Sequence, residues 1–214
     1  MTVITLKAPP VMGNKMRIDV KARELWPQTR KHATEYLAGL IAGDGQIEKK
    51  RVTITDSHRE FLEAVLEKVL RRQLGLNATI HKRSDANAYY MRIYGKNWVS
   101  RIGTVLTMLK SQPTTNFIRG FFDAEGTISI EQGKYVVIEI NQHEAPLIAN
   151  ISLALRDRCI YPYIRYQEYF DRRRGKTYTR YVLRIKRKSS VYRFLTRIGL
   201  RHPKHMKILG LRPL

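Results

Sequence analysis

Two kinds of hydrophobic pattern follow one another along the chain, in the same order in both halves. Val52 and Ile54 alternate with polar neighbours, as in a strand with one buried face, whereas Phe61, Val65 and Val69 recur at helical spacing. The patterns predict an α+β fold of two pseudo-symmetric αββαββα halves, each an antiparallel sheet with helices packed on one face. The predicted helices cover residues 34–43, 59–74, 98–109, 115–124, 146–158, 190–198 and 204–209; the predicted strands cover residues 46–48, 51–55, 78–82, 89–94, 127–130, 135–141, 161–169 and 178–186.

Two nine-residue segments, 37–45 and 118–126, repeat one arrangement: an apolar stretch with small residues four apart, then an acid, then glycine. Residues four apart share one face of a helix, so small residues at that spacing let two helices approach closely. The apolar stretch is far too short to span a bilayer. The small residues are Gly39 and Gly43 in the first segment and Gly120 and Ala124 in the second.

The acids of the two segments, Asp44 and Glu125, are predicted to lie at helix C-termini. Gly45 and Gly126 follow them, and we expect each glycine to end its helix in the left-handed conformation of a C-terminal cap. Two carboxylates and two negative helix ends that converge would repel one another unless a cation lay between them. A hard, oxygen-seeking ion such as Mg²⁺ is the natural choice.

The charge of the chain indicates a polyanionic partner. Forty Lys and Arg residues stand against 18 Asp and Glu residues, a net charge of +22, and both halves share the excess. Such a surface fits the phosphates of a nucleic acid. An RNA-binding or membrane-surface protein would share the charge, but no long basic amphipathic helix of the membrane-surface kind is present.

The organisation of the chain predicts three parts: a basic N-terminal extension at 1–30, a first half at 31–112 and a second half at 113–214. No signal peptide or membrane span is apparent, so we expect an intracellular protein. The single cysteine, Cys159, allows no intrachain disulfide and is expected to be a small buried residue. His202 and His205 lack an apparent third metal ligand and are expected to face solvent or phosphate.

The chain resembles the LAGLIDADG homing endonucleases of the single-chain, two-motif kind. The first motif matches the family's nine letters at Leu37, Ala38, Gly39, Leu40, Ile41, Asp44 and Gly45. The second matches more loosely and keeps Gly120, Asp123, Ala124, the acid Glu125 and Gly126. The resemblance covers nearly all of the chain after about residue 30.

This resemblance implies a double-strand break in a long, pseudo-palindromic DNA target, made by metal-dependent phosphodiester hydrolysis. Asp44 and Glu125 would lie side by side at the pseudo-twofold axis and bind the divalent metal, most simply Mg²⁺. The carbonyls of Gly43 and Ala124 would be further metal ligands. The enzyme would be a monomer without a protein partner, encoded in an intron.

Further active-site positions also follow from the resemblance. A polar residue late in the second strand of each half would be Asp56 and Gln142, and Asp56 departs from the neutral amide expected there, so the two sites need not be equivalent. A basic residue near the end of each half would be Lys110 and Lys204. Asp123 has only Ala42 opposite it in the first motif, so hydrogen bonding at the helix end is expected rather than metal binding.

The two sheets would form a saddle over the DNA major groove, with one set of strand side chains turned outward to read bases. In the first half these are Gln46, Glu48, Arg51, Thr53, His81, Arg83, Arg92 and Tyr94. In the second half they are Thr127, Ser129, Glu131, Tyr135, Glu139, Arg165, Gln167, Arg180, Arg184 and Lys186. A basic hairpin tip, comprising Arg172, Arg173, Arg174 and Lys176, is expected to hold phosphates.

Three alternatives to the endonuclease differ in what they require of the sequence. An RNA-binding maturase could use the same scaffold on its intron RNA, and the two retained acids do not exclude a dual role. A DNA-binding regulator without activity would have no need for both acids. An intein is not expected, since the sequence starts without Cys or Ser and ends at Pro213 and Leu214.

Overall fold

The computed structural model describes residues 26–171 and 175–210, together with a short strand pair near the N-terminus. That pair consists of β1 (Ile4–Thr5) and β2 (Asp19–Val20), which run antiparallel. The predicted extension at 1–30 therefore lies mostly outside the described residues, as do Arg172, Arg173 and Arg174 of the predicted hairpin tip.

The first half has the predicted order of elements. Helix α1 begins after Thr29, whose Oγ1 accepts a hydrogen bond from the His32 amide at 3.2 Å, and it ends at Asp44. Helix α2 continues directly into a π-helical stretch that ends at Gly75, in the left-handed conformation (φ 67°). The elements are α1 (Arg30–Asp44), β3 (Gly45–Ile47), β4 (Arg51–Asp56), α2 (Arg59–Val65, with π-helical Leu66–Leu74), β5 (Ala78–Lys82), β6 (Tyr89–Tyr94) and α3 (Lys96–Ser111).

The second half repeats this order and adds one short helix. Thr114 caps α4 through a 3.3 Å hydrogen bond from the Phe117 amide to its Oγ1, and a turn at Gln132 and Gly133, both at positive φ, joins the first two strands. The elements are α4 (Thr115–Glu125), β7 (Gly126–Glu131), β8 (Tyr135–Gln142), α5 (Ala145–Arg156), β9 (Tyr163–Asp171), β10 (Lys176–Ile185), α6 (Lys188–Arg193, with π-helical Phe194–Ile198) and α7 (Pro203–Ile208).

Each half contains one antiparallel four-stranded sheet, and the two sheets have the same topology. Their strand orders are β3-β4-β6-β5 and β7-β8-β10-β9. In β4, Val52 and Ile54 are buried, while Arg51, Thr53 and Thr55, which alternate with them, are only half-buried. The predicted α+β fold of two pseudo-symmetric αββαββα halves is thus confirmed.

The two halves meet along α1 and α4, where the small residues allow contact between backbones. A Cβ atom on Gly39 would lie 2.1 Å from the carbonyl oxygen of Phe117, and one on Gly120 would lie 2.0 Å from that of Tyr36. Near the helix ends, a Cβ atom on Gly43 would lie 2.5 Å from that of Ala124. The small-residue pattern in the sequence therefore marks the axis that relates the two halves.

The glycines after the two acids differ from the prediction. Gly45 and Gly126 are extended, with φ of −102° and −75°, rather than left-handed. Both positions require glycine because a side chain has no room there. A Cβ on Gly45 would lie 2.5 Å from Ile41 Cα, and one on Gly126 would lie 2.2 Å from Phe122 Cδ2. Each glycine turns the chain from its helix directly into the first strand of the half.

Cys159 lies at the surface rather than in the core. Cys159 is exposed, not buried: it lies at positive φ (58°) in the turn that follows α5, and its neighbour Ile160 enters the core instead. In the part of the chain that the structure describes, no helix has the length and apolarity needed to cross a bilayer.

Candidate active site

The two acids of the repeated segments lie together where the tips of α1 and α4 meet. Asp44 is the last residue of α1, and Glu125 is the last residue of α4. A Cβ on Gly43 would lie 2.9 Å from Cγ of Glu125, so the second acid packs directly against the end of the first helix. Asp44 is exposed as a residue, although the protein around the helix tips shields its carboxyl group from part of the solvent, and Glu125 is half-buried.

Both carboxyl groups hold their protons more tightly than free side chains do. Burial raises the pKa of Asp44; the ammonium of Lys204 opposes this rise, and the charge of Asp56 adds to it. Burial also raises the pKa of Glu125, and the neighbouring charge of Asp44 raises it further, against Lys204 and His143. The site concentrates negative charge that a cation would relieve.

Lys204 supplies a positive charge to both acids. Its ammonium donates a 2.8 Å hydrogen bond to the carbonyl oxygen of Ala124, the residue before Glu125. That oxygen is one of the two carbonyls predicted as metal ligands. The structure thus brings together Asp44, Glu125, Ala124 and Lys204 of the predicted site.

Lys110, the other predicted basic residue, lies in different surroundings. Its ammonium binds the carboxylate of Glu144 at 2.7 Å, at the start of α5. Only three residues separate α3 from α4, whereas α7, which carries Lys204, is a helix without a counterpart in the first half. The first half therefore has no equivalent route for bringing a lysine to the acids.

The strand register shows that Asp56 and Gln142 occupy equivalent positions. Gly45 pairs with Ile54 in the first sheet, Gly126 pairs with Ile140 in the second, and Asp56 and Gln142 each lie two residues further on. Each side chain also accepts the amide of a following histidine: Asp56 Oδ1 from His58 at 2.6 Å and Gln142 Oε1 from His143 at 2.7 Å. The two sites differ in charge at this position, as the sequence predicts.

Asp56 belongs to a cluster with two histidines. Its Oδ2 contacts His202 Nε2 at 2.8 Å, and its Oδ1 lies 3.2 Å from His58 Nδ1. Burial alone would raise the pKa of Asp56, but hydrogen bonds from His202 and His58 outweigh it and lower the pKa. His202 comes from the second half, so this cluster joins the halves beside Asp44.

Asp123 is fully buried and also joins the halves. Its Oδ2 accepts a 2.9 Å hydrogen bond from the hydroxyl of Tyr36, and its Oδ1 accepts the amides of Arg201 and His202 at 2.9 and 3.1 Å. Burial raises the pKa of Tyr36 well above its usual value, and Asp123 adds to the rise. The expected hydrogen-bonding role of Asp123 at the helix end therefore extends to the chain segment that precedes Lys204.

The two histidines flanking Lys204 are buried, which corrects the expectation that they face solvent or phosphate. His202 is completely buried, and His205 is 1% exposed, with Nε2 3.2 Å from the carbonyl oxygen of Phe122. Burial, together with the charges of Lys204 and His202, lowers the pKa of His205 to about 3. Their placement on either side of Lys204 is the sequence feature that connects the two histidines with the site.

The strand register places the strand residues predicted to face outward on one face of each sheet, while Glu48, Arg83 and Lys186 lie just beyond the ends of β3, β5 and β10. Gln46 is opposite Thr53, and Thr53 is opposite Arg92, so these side chains form one row across the first sheet. In the second sheet, Thr127 is opposite Glu139, which is opposite Arg184. No predicted base-reading residue is buried; all are half-buried or exposed, namely Gln46, Glu48, Arg51, Thr53, His81, Arg83, Arg92, Tyr94, Thr127, Ser129, Glu131, Tyr135, Glu139, Arg165, Gln167, Arg180, Arg184 and Lys186, and Lys176 of the hairpin tip is exposed.

Many of these side chains pair with one another. Arg184 binds Glu131 and, through Nε at 2.7 Å, Glu139, while Lys186 binds Glu131 at 2.8 Å. In the first sheet Arg51 binds Glu48 at 2.9 Å. These ion pairs hold the basic groups in place on the outward face of each sheet.

Tyr90 and Tyr163 lie on the same faces and add to Tyr94 and Tyr135, the aromatic residues predicted there from the sequence. Tyr163 is opposite Arg184, which donates to its hydroxyl at 3.3 Å, and Tyr90 stacks on His81 with ring centroids 5.3 Å apart. Arg92 lies over the Tyr90 ring at 4.5 Å. The alternation of β6 and β9 identifies both, since Tyr90 lies two residues before Arg92 and Tyr163 lies two residues before Arg165.

Comparisons with known proteins agree with this architecture. The family model described as a LAGLIDADG-like domain matches residues 31–103 and 112–199. A structure of the homing endonuclease I-DmoI in complex with DNA and Ca is 20% identical, with a TM-score of 0.62, covering 86% of this chain and 99% of that one. Full-length DUF199/WhiA from Thermatoga maritima is also 20% identical, with a TM-score of 0.60, covering 88% and 61%.

Sequence relatives are much longer than this chain. A DNA polymerase of Thermococcus aggregans is 26% identical over 69% of the chain, and one of Thermococcus kodakarensis is 23% identical over 76%. The matches span only 8% and 11% of those polymerases, so the shared part is a domain-sized segment.

Proposed function

Since the chain belongs to the family of LAGLIDADG-like domains, we propose that it is a site-specific endonuclease that makes a double-strand break in a long, pseudo-palindromic DNA target. The observation that carries the proposal is the convergence of Asp44 and Glu125, one acid from each half, beside the ammonium of Lys204. If each acid serves the cleavage of one DNA strand, a single chain with two acids on its pseudo-twofold axis can cut both strands. A DNA-binding protein without activity has no need for this arrangement.

The donors at the helix tips fit a divalent metal. Two carboxylates and the carbonyl oxygens of Gly43 and Ala124 are hard oxygen ligands of the kind that Mg²⁺ prefers. Lys204 already places one cationic group on the oxygen of Ala124, which supports this carbonyl as a ligand for a cation. Structures of I-DmoI in complex with DNA and either Mn or Ca support the same use of divalent ions here. When bound, such an ion activates water and stabilises the leaving oxygen.

The acids and the side chains around them would have different roles in the reaction. Asp44 and Glu125 hold the negative charge that attracts the ion. Lys204 is positioned to stabilise the negative charge that develops on a reacting phosphate. Gln142 in the second half and Asp56 in the first lie at equivalent strand ends but differ in charge, so the two halves of the site need not be equivalent.

The outward faces of the sheets are the proposed DNA-binding surface. They carry Arg, Gln and Glu side chains, which can form paired hydrogen bonds to base edges in the major groove. The net charge of +22 supplies the attraction to phosphate. A monomeric enzyme suffices because one chain contains both halves. An intron as the genetic setting stays a prediction from the sequence.

A maturase that binds intron RNA remains the second candidate. Its support is the same basic surface, which does not by itself distinguish DNA from RNA. Retention of both acids in one site favours cleavage. The I-DmoI complexes contain DNA, which favours a DNA target for this chain as well.

Cleavage selection tests the proposal. Purified protein would be incubated with a randomised or genomic DNA library and Mg²⁺, and ends that it creates would be sequenced. The unmodified protein should yield one long, roughly pseudo-palindromic site. The double variant Asp44→Asn/Glu125→Gln should yield none while still binding that site.

A matched control is Glu63→Gln, which removes one exposed acid paired with Arg59 on α2, away from the helix tips. This variant should cut like the unmodified protein. Specific binding to structured intron RNA without any DNA cleavage would favour the maturase. Full double-strand cutting by either single variant, Asp44→Asn or Glu125→Gln, would contradict the shared site.

A further inference from the structure

The turn before α7 decides where Lys204 lies. Lys204 is the second residue of α7, and His202 caps this helix: its Nδ1 accepts the amide of Lys204 at 3.1 Å. The amide of His202 is itself held by Asp123. The position of the catalytic ammonium thus depends on a completely buried histidine two residues earlier.

The hydrogen bonds of His202 fix the place of its proton. Because Nδ1 accepts the Lys204 amide, it has no proton, and the proton of the neutral ring lies on Nε2. Nε2 therefore donates to Oδ2 of Asp56, 2.8 Å away. Both ring nitrogens are in use, one toward α7 and one toward the first half.

From this geometry we infer that Asp56 is a positioning residue: through His202 it holds Lys204 against the carbonyl of Ala124, beside Asp44 and Glu125. The contact that fixes this position is the hydrogen bond between Asp56, at the end of β4 in the first half, and Nε2 of His202. The backbone from His202 to Lys204 carries this constraint to α7, and the cap at Nδ1 is secondary to it. Asp56 thereby couples the arrangement of the active site to the docking of the two halves. As regards catalysis, this inference rests on the proposed function.

The cluster of Asp56, His58 and His202 does not suit a metal ion. Within the described residues, Asp56, His58 and His202 form the group of possible ligands whose donor atoms lie within 4.8 Å of one another. A histidine that binds metal through one nitrogen donates from the other. His202 instead accepts at Nδ1 and carries its proton at the nitrogen that faces Asp56. The cluster is therefore a hydrogen-bonded link.

Two substitutions of His202 separate its two contacts. His202→Asn keeps a side-chain oxygen near Nδ1, a good cap for α7, but cannot reach Asp56. His202→Gln carries an amide nitrogen to the place of Nε2 and so keeps a donor for Asp56, but loses the cap. Asp56→Asn removes one of the two acceptor oxygens and breaks the link from the other side.

The first measurement needs neither DNA nor cleavage. Lysines would be acetylated briefly without added metal, and the rate at Lys204 compared by mass spectrometry with that at exposed Lys96. The ratio should rise about tenfold in His202→Asn and in Asp56→Asn, which release the ammonium, and change little in His202→Gln. The double variant Asp56→Asn/His202→Asn should be no more reactive than either single variant, since both break one link.

The second measurement is single-turnover cleavage of the selected target. His202→Asn and Asp56→Asn should lower the cleavage rate about tenfold with unchanged DNA affinity, and His202→Gln should restore most of it. A merely structural role would make the rates follow thermal stability, which is measured on the same samples.

The outcomes separate this inference from the proposed function. If no variant and no unmodified protein cuts DNA, the proposed function fails, while the acetylation ratios still test the position of Lys204. If His202→Asn behaves like the unmodified protein and His202→Gln is the impaired variant, capping alone positions Lys204 and the inference is wrong. Equal acetylation ratios in all variants would also overturn it.

Discussion

Gly39 and Gly120 occupy equivalent positions on α1 and α4, and each accommodates a backbone carbonyl of the other helix. A Cβ on Gly39 would lie 2.1 Å from the oxygen of Phe117, and one on Gly120 would lie 2.0 Å from the oxygen of Tyr36. Since the acids follow on the same two helices, this backbone contact also sets the separation of Asp44 and Glu125. The fold and the site share one structural requirement.

Adding a methyl group at this contact should destabilise the protein strongly. In Gly120→Ala the new Cβ meets backbone, which cannot move aside as a side chain can, so the cost should reach about 3 kcal/mol, the upper part of the range for overpacked cores. Urea denaturation followed by circular dichroism measures this free energy of unfolding. Gly103→Ala, on α3 with nothing within 4 Å of its Cβ, is the control and should be neutral or slightly stabilising. Equal stability of the two variants would contradict the close contact.

The order of elements could be predicted because local patterns determine it. Alternation marks β4, and the small-residue spacing marks the interface of α1 and α4. The connections within the site could not be predicted, because Asp56 and His202 are 146 positions apart and meet only through the docking of the halves. Lys110 illustrates the same point: its position near the end of the first half suggested a partner for Lys204, but the short connection after α3 leaves it with Glu144.

His205 should make the stability of the protein depend on pH. Its folded-state pKa is lowered to about 3, so between about pH 6.5 and 3 the unfolded chain binds one more proton than the folded protein. Stability therefore falls as the pH drops below 6.5, by about 2 kcal/mol from this residue between pH 7 and pH 5. Urea denaturation at several pH values measures the slope.

His205→Phe is the matched variant for this slope. The phenyl ring can still stack on Phe122, and the carbonyl of Phe122 keeps the amide of Gly126 as a donor. Stability of the variant should vary less between pH 7 and pH 5 than that of the unmodified protein. An unchanged slope would show that His205 takes up a proton in the folded protein without a cost in stability.

Lys204 and Lys110 should differ sharply in their importance for cleavage. Lys204→Met removes the positive charge beside both acids and should lower the single-turnover cleavage rate about 100-fold, as loss of a group that stabilises developing charge does. Lys110→Met removes only an ion pair with Glu144 at the surface, where such pairs contribute little, and should leave the rate nearly unchanged. Equal losses in the two variants would show that Lys110 also acts in the site.

Base reading and phosphate binding should separate on the second sheet. Arg184 is held on the outward face by Glu131 and Glu139, and we expect its guanidinium to contact a base edge when DNA binds. Arg184→Ala should weaken binding of the selected target by about 1–3 kcal/mol and relax specificity at one base pair. Lys176, exposed at the start of β10, should instead act on phosphate, and Lys176→Ala should reduce the slope of log affinity against log salt by about 1 without changing base preference. Binding isotherms at several salt concentrations, on the target and on its single-base variants, measure both effects. If Arg184→Ala changed only the salt slope, Arg184 would bind phosphate rather than read a base pair.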